Sequence, residues 1–205
     1  MFIIKRIIVG LTKRIKAIYI YALGMVPLFI LVNDLIANQL GVDPLKELEH
    51  SLGKIALIFL ILTLSISPLS NLLSINLIKL RRPLGLLCFF YVVLHLSTWL
   101  FLDMQFRWPE IIRAISKQPY IILGMLSFIL LFPLAITSTN YAIKQLGPRW
   151  KKLHKLIYVS AIIAGAHYLM VVKSWPLEPI IYFLIIILLL AVRWFNLKKY
   201  KQRIR

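Results

Sequence analysis

IIYFLIIILLLAV, residues 180–192, carries no charge and shows no alternation of apolar and polar positions. A strand of a membrane barrel would alternate at every other residue over about 10 residues. A helix satisfies its own backbone hydrogen bonds inside lipid, so an unbroken apolar run of this kind is read as a spanning helix. With its flanks the run extends over Leu177–Phe195, close to the roughly 20 residues a bilayer crossing needs. Five further stretches read the same way: Ile15–Ile36, Ser51–Ser70, Pro83–Leu102, Tyr120–Ser138 and Leu153–Val172. The expectation is therefore an all-α integral membrane bundle of six transmembrane helices with both termini cytoplasmic.

The whole chain agrees with that reading. Its 205 residues are 60% hydrophobic and 16% charged, and its mean hydropathy is +0.85. Soluble domains are about 45–50% apolar and about 25% charged. A disordered chain would be poor in apolar residues, and one cysteine cannot build a disulfide scaffold. The net charge of +18 does not signal nucleic acid, because the charges sit between apolar blocks and cover no single polar face. The division expected is a basic cytoplasmic tail over residues 1–14, a membrane domain over 15–195 and a second basic tail over 196–205. The apolar run Ile7–Leu11 is interrupted by Lys13, Arg14 and Lys16 and no small-residue cleavage site follows, so it reads as a lead-in rather than a cleavable signal.

Orientation follows from the charges. Of 25 Lys and Arg residues, Lys46, Lys54, Arg107, Arg113, Lys117 and Lys173 map to one side, and the remaining 19 map to the tails and to the second and fourth loops. All seven acidic residues share the side with the few cations. Lys and Arg excess marks the cytoplasmic face, and a basic inner face attracts anionic lipid. Trp99, Trp108 and Trp175 fall near the outer boundary and Trp150 and Trp194 near the inner one, as an interfacial aromatic belt would place them. The longest outer loops are Ala37–His50 and Asp103–Pro119, and no glycine-rich phosphate loop or dinucleotide fingerprint is legible. Chemistry in such a chain needs a bound cofactor or a partner protein.

Ionisable residues inside a span are costly and usually functional. His95 lies 12 residues from Pro83, about 18 Å up its span, and His167 lies 14 residues from Leu153, about 21 Å up a span running in the same direction. Two imidazoles at one level on two helices can hold a haem iron from both sides. The alternatives at this point are a proton relay in a small transporter and a pair of structural histidines. Small residues Ala161, Ala164, Gly165 and Ala166 precede His167; they serve helix packing or room for a flat ring. His154 lies about 20 Å below His167, roughly 140° round an ideal helix, with no histidine opposite it on span three. His50, at the outer surface, is expected to cap span two, to touch a haem propionate or to be solvated. Arg81, Arg82, Arg149 and Lys151, with Lys152, crowd the inner loops, where guanidinium suits phosphate, propionate or a quinone site, or simply lipid head groups. Cys88 reads as core filler.

The blocks GVDPLKELEHSLG (41–53), RRPLGLLCFFYVVLHLSTW (81–99), QPYIILGMLSF (118–128), AITSTNYAIKQLGPRWKKLHKLIYV (135–159) and AHYLMVVKS (166–174), in this order and spacing, closely resemble the haem-binding membrane subunit of the bacterial protein-methionine-sulfoxide reductase system, within the ferric-reductase-like transmembrane superfamily. The resemblance covers residues 41–195. It implies a multi-pass protein of the bacterial inner membrane carrying haem b, one or two, and FMN. It implies electrons from quinol or a cytoplasmic flavin reductase, passed to a periplasmic molybdenum-cofactor reductase that repairs methionine sulfoxide in proteins. It carries His95, His154 and His167 over as the family histidines. The superfamily's two-haem members have two histidines on each of two helices, whereas span three here has His95 alone. The implied role is an electron-transfer subunit with no substrate chemistry of its own, with the acidic residues Asp43, Glu47 and Glu49 as a docking surface. A ferric or cupric reductase, a transporter with a histidine relay and a cofactor-free assembly factor remain the other readings.

Overall fold

In the computed structural model the described residues are 16–171 and 177–202. Among them there is no strand. The helices are α1 (Ala17–Ile36), α2 (Pro44–Leu73), α3 (Arg81–Ser97), α4 (Trp108–Lys117), α5 (Pro119–Ile136), α6 (Asn140–Leu146), α7 (Pro148–Leu153), α8 (Leu156–Val171) and α9 (Leu177–Gln202). A 3₁₀ turn, Ile78–Leu80, leads into α3, and a π-helical segment, Thr98–Asp103, continues it. Six helical stretches are long and apolar enough to cross a membrane, and the protein is a multi-pass membrane bundle. The expected tail 1–14, Lys173 and Trp175 lie outside the described residues, and α9 runs on through Gln202.

Two departures from the expected spans have a local cause. The second span begins at Pro44, not Ser51. Asp43 caps it, its side chain accepting from the Lys46 N–H; Pro44 occupies the first turn, and Glu47 adds a negative charge there. These are favourable helix starts that a hydropathy window skips because they are charged. The fifth span is broken at His154 and Lys155 into α7 and α8. The ideal-helix angle between His154 and His167 therefore does not hold. The outer loop 103–119 also contains a helix, α4, whose Ile111 and Ala114 are buried against Trp99 and Ile121. Trp99 is thus a core residue, while Trp108 and Trp194 face outward.

The bundle is assembled from two antiparallel pairs. α2 packs most extensively on α3, and α5 on α8; the pairs meet through α3 against α5 and α2 against α8. The main core lies between α2 and α3, where Leu52, Leu57, Leu60, Leu64, Leu87 and Tyr91 are buried. Phe59 stacks on Tyr91 with ring centroids 5.5 Å apart. α1 lies against α3, held where the Tyr91 hydroxyl donates to the Gly24 carbonyl at 2.7 Å. α9 covers α8 and α2, and Arg193 reaches back from it to Ser67 Oγ, with its guanidinium 4.7 Å above the Tyr158 ring.

Candidate functional site: two imidazoles across an intramembrane cavity

A cavity of about 240 Å³ lies between the two helix pairs. Its walls come from α2 (Gly53, Ala56, Leu57, Leu60), α3 and its π extension (Cys88, Val92, His95, Trp99), α5 (Gly124, Ser127, Phe128) and α8 (Ala164, His167, Tyr168). One end is polar, with Lys46, Glu49, His50, Lys54, Asp103 and Tyr120. The rest is apolar. A flat, largely apolar group with a polar edge suits such a space.

His95 and His167 meet across it, ring centroids 6.2 Å apart and planes inclined by 74°. The equal depth expected from residue counting is what the bundle has. Each ring is clipped to the helix paired with its own. His95 Nδ1 lies 2.8 Å from the Glu49 carbonyl oxygen on α2, and His167 Nδ1 lies 2.7 Å from the Tyr120 carbonyl oxygen on α5. A carbonyl only accepts, so in both rings Nδ1 carries the proton and donates it. Nε2 is then the bare lone pair, which is the atom a neutral imidazole offers to a metal.

The separation suits a shared metal. With metal–imidazole bonds of about 2 Å and a ring centroid roughly 1.1 Å beyond Nε2, two imidazoles on one ion place their centroids about 6 Å apart. Among the described residues no group of three or more His, Cys, Asp and Glu side chains gathers into a metal cage. Transition metals take four or more ligands. Two imidazoles therefore suit an ion that brings its remaining ligands with it, as a porphyrin does.

The other candidates are distributed as follows. His50 is exposed and lines the polar mouth. Lys54, also at the mouth, pairs with Glu178 at the start of α9. Glu49 lies half-buried on the cavity wall, so of the three acidic residues expected on a docking surface only Asp43 and Glu47 are fully on the exterior. His154 is not among the cavity-lining residues and lies at the turn between α7 and α8. Its ring stacks on Trp150 with centroids 3.9 Å apart, Nδ1 lies 3.2 Å from the Trp150 carbonyl, and Nε2 is buried with no hydrogen-bond partner. Arg82 donates to Asn140 Oδ1 at 2.6 Å, joining the first turn of α3 to α6. Arg81 is half-buried, and Arg149 and Lys151 are exposed. The small-residue run before His167 divides its work: Ala164 lines the cavity, whereas Gly165 faces Phe183 and Ile186 of α9.

Sequence reasoning missed two residues at the site, Gly53 and Gly124. Each lies under an imidazole: a Cβ at Gly53 would stand 3.1 Å from His95 Nδ1, and one at Gly124 3.0 Å from His167 Cε1. The available signal was no more than a glycine inside each of two helices; the carbonyls that the histidines use are visible only in the fold.

Comparison with known proteins gives the family. Residues 51–165 match the family described as ferric reductase like transmembrane component. The chain is 46% identical over 174 residues, 85% of its length and 79% of theirs, to the protein-methionine-sulfoxide reductase heme-binding subunit MsrQ of Brucella ovis, and equally to those of Brucella canis and Brucella suis. No solved structure matches. With the family match covering both histidine-bearing helix pairs up to Gly165 and the relatives covering most of the chain, the protein belongs to the ferric reductase like transmembrane family, among its protein-methionine-sulfoxide reductase heme-binding subunits.

Proposed function

We propose that the chain is a membrane electron-transfer subunit holding haem b between α3 and α8, with His95 and His167 as the axial ligands. One observation carries this reading: two imidazoles 6.2 Å apart across a mainly apolar cavity, each with its Nδ1 proton engaged by a backbone carbonyl. When bound, the haem supplies a one-electron iron couple inside the bilayer, its potential tuned by ligands, hydrogen bonds and burial. His95 and His167 would hold it, Leu57, Leu60, Val92 and Phe128 would exclude water, and the polar mouth offers Lys46 and His50 to an anionic group beside the carboxylates of Glu49 and Asp103.

In the same reading the basic loops face the cytoplasm of a bacterium and the membrane is the inner one. Electrons come from quinol or a cytoplasmic flavin reductase and leave to a periplasmic molybdenum-cofactor reductase acting on protein methionine sulfoxide, as the family resemblance implies; the relatives' names support the heme-binding subunit of a protein-methionine-sulfoxide reductase. Asp43 and Glu47, exposed near the cavity mouth, belong to the surface that meets this partner. His154, with a buried Nε2 lacking a partner, serves a second haem or the inner electron entry. FMN rests on the family resemblance; Arg81, Arg82, Arg149 and Lys151 supply cations for its phosphate. A ferric or cupric chelate reductase is the second reading, favoured by the family description.

The test is an absorption spectrum of detergent-purified protein, oxidised and dithionite-reduced, beside His95→Ala and His167→Ala. A six-coordinate b-type spectrum, lost or altered in both variants, is expected; a pyridine haemochrome count then gives one haem or two. A colourless protein from haem-supplemented cells overturns the proposal. Rapid reoxidation of the reduced protein by ferric chelate, with none by the molybdenum partner, selects the second reading.

A further inference from the structure

In an α-helix the carbonyl of residue i accepts from the N–H of residue i+4, and the side chain of residue i+4 leans back over that same carbonyl. This chain displays the rule repeatedly. Thr63 Oγ1 donates to the Phe59 carbonyl, Ser65 Oγ to Ile61, Thr98 Oγ1 to Leu94, Ser116 Oγ to Ile112 and Ser138 Oγ to Leu134. The space beside a helical carbonyl therefore ordinarily belongs to the residue four positions later. A hydroxyl from another helix can share it, as Tyr91 does at the Gly24 carbonyl with Leu28 four positions later, but an imidazole lying flat against the helix needs the room that a Cβ at that position would take.

Both cavity histidines use such a space. His95 donates to the Glu49 carbonyl, and the residue four later is Gly53. His167 donates to the Tyr120 carbonyl, and the residue four later is Gly124. A Cβ at Gly53 would lie 3.1 and 3.2 Å from His95 Nδ1 and Cε1; one at Gly124 would lie 3.0 and 3.1 Å from His167 Cε1 and Nδ1. The same device thus occurs on two helices, each against its own partner. The other tightly packed glycines do something else: Gly24 meets Leu87, and Gly165 meets Phe183 and Ile186.

We infer that Gly53 and Gly124 are positioning residues for His95 and His167: by leaving one helical carbonyl open beside each ring, they fix the tautomer that presents Nε2 to the cavity. The inference on tautomers stands on geometry alone, and its consequence for metal binding rests on the haem reading above. An alanine at either position displaces the ring by a few tenths of an ångström. A serine does more, because its hydroxyl takes the carbonyl, as the five residues above do, and releases the Nδ1 proton.

The experiment uses the full chain in detergent, ¹⁵N-labelled at histidine, as wild type, Gly53→Ala, Gly53→Ser, Gly124→Ala, Gly124→Ser and Gly165→Ala. Two readouts are taken: the ring-nitrogen NMR shifts of the haem-free protein, and the affinity for added haemin. In the wild type, His95 and His167 should both show protonated Nδ1 and bare Nε2. Each serine variant should shift its own histidine towards the other tautomer and weaken haemin binding about 10–100-fold, the usual cost of losing a ligand's supporting hydrogen bond. The alanine variants should fall between, which keeps the test alive if a serine variant does not fold. Gly165→Ala, more crowded, with a Cβ 2.7 Å from Phe183 Cδ2, but touching no imidazole, should lower the melting temperature and leave both readouts unchanged. Unchanged tautomers and affinity in the serine variants overturn the inference. So does an affinity loss in Gly165→Ala as large as theirs. Tautomer shifts in a protein that binds no haemin support the role of the glycines and remove the haem reading instead.

Discussion

Ser127 on α5 and Ser160 on α8 face each other inside the bundle, Oγ to Oγ at 2.9 Å, and Ser160 is completely buried. Two forces could hold the helices together here: the hydroxyl bond, or the small size of both residues. The geometry decides between them. Each hydroxyl also lies 3.3 Å from the other residue's backbone carbonyl. Ser160→Ala therefore removes both contacts of the Ser160 hydroxyl but leaves the Ser127 hydroxyl with the residue 160 carbonyl as acceptor. The cost should be near the average for hydrogen bonds between membrane helices, about 0.6 kcal/mol, and below the observed maximum of about 1.7 kcal/mol. Ser160→Val adds branched volume where nothing is exposed, and overpacking costs about 1–3 kcal/mol. The double Ser→Ala variant should cost less than the sum of the singles, because both share one bond. Unfolding by SDS in mixed micelles, followed by circular dichroism, measures all four. The wedge should also reach the site. Tyr120 lies seven residues before Ser127 and His167 seven after Ser160, so in this antiparallel pair the His167 clip is two turns, about 10.5 Å, from the serines. Ser160→Val should accordingly weaken haemin binding while Ser160→Ala does not. If Ser160→Ala costs as much as Ser160→Val, the hydroxyls are the glue and the argument from size is wrong.

Three shorter predictions concern the ends of the helices around the cavity. Asp43→Ala removes the side-chain cap of α2 and should cost about 1 kcal/mol in the same unfolding assay. Ser74 closes α2 in the left-handed region with φ +52°, so Ser74→Gly should stabilise the protein by a few tenths to about 1 kcal/mol, seen as a raised SDS midpoint. Lys54 and Glu178 tie α2 to α9 beside the cavity mouth, both side chains being over two-fifths exposed; a double-mutant cycle with Lys54→Met and Glu178→Gln should give a coupling of no more than about 1 kcal/mol, falling with added salt.

The sequence made the spans legible because lipid imposes one rule on every residue of a crossing: the backbone must bond within its own helix and the side chains must be apolar. Ile180–Val192 satisfies that rule without reference to anything else in the chain. The equal depth of His95 and His167 was legible for the same reason, since residue count along a straight helix is distance. What escaped were features fixed by local polar chemistry or by contact between helices. The helix start Asp43–Glu47 is written in capping residues that hydropathy discounts. The break at His154 has no proline or glycine at the turn itself to announce it. The burial of Trp99 under α4 depends on a helix inside what reads as a loop. Gly53 and Gly124 acquire meaning only once α2 is known to pair with α3 and α5 with α8.

That pairing also explains why the cavity persists between the two halves. Each histidine is bonded to the helix with which its own helix packs most extensively, α3 to α2 and α8 to α5. Neither ring depends on the opposite half for its orientation. The packing between halves, α3 on α5 and α2 on α8, is much sparser than the packing within them. Had the rings been bonded to each other, Nε2 of one would be occupied by the other, and the space between the halves would close on a hydrogen bond. Satisfying each Nδ1 inside its own pair leaves two lone pairs without a protein donor, in a cavity whose remaining walls are largely carbon. A ligand whose centre accepts two nitrogens and whose periphery is apolar matches both the lone pairs and the walls. Filling the pair of Nε2 atoms should therefore stabilise the interface between halves more than either half, so haemin should protect α3–α5 contacts from hydrogen exchange before it alters exchange within α2–α3.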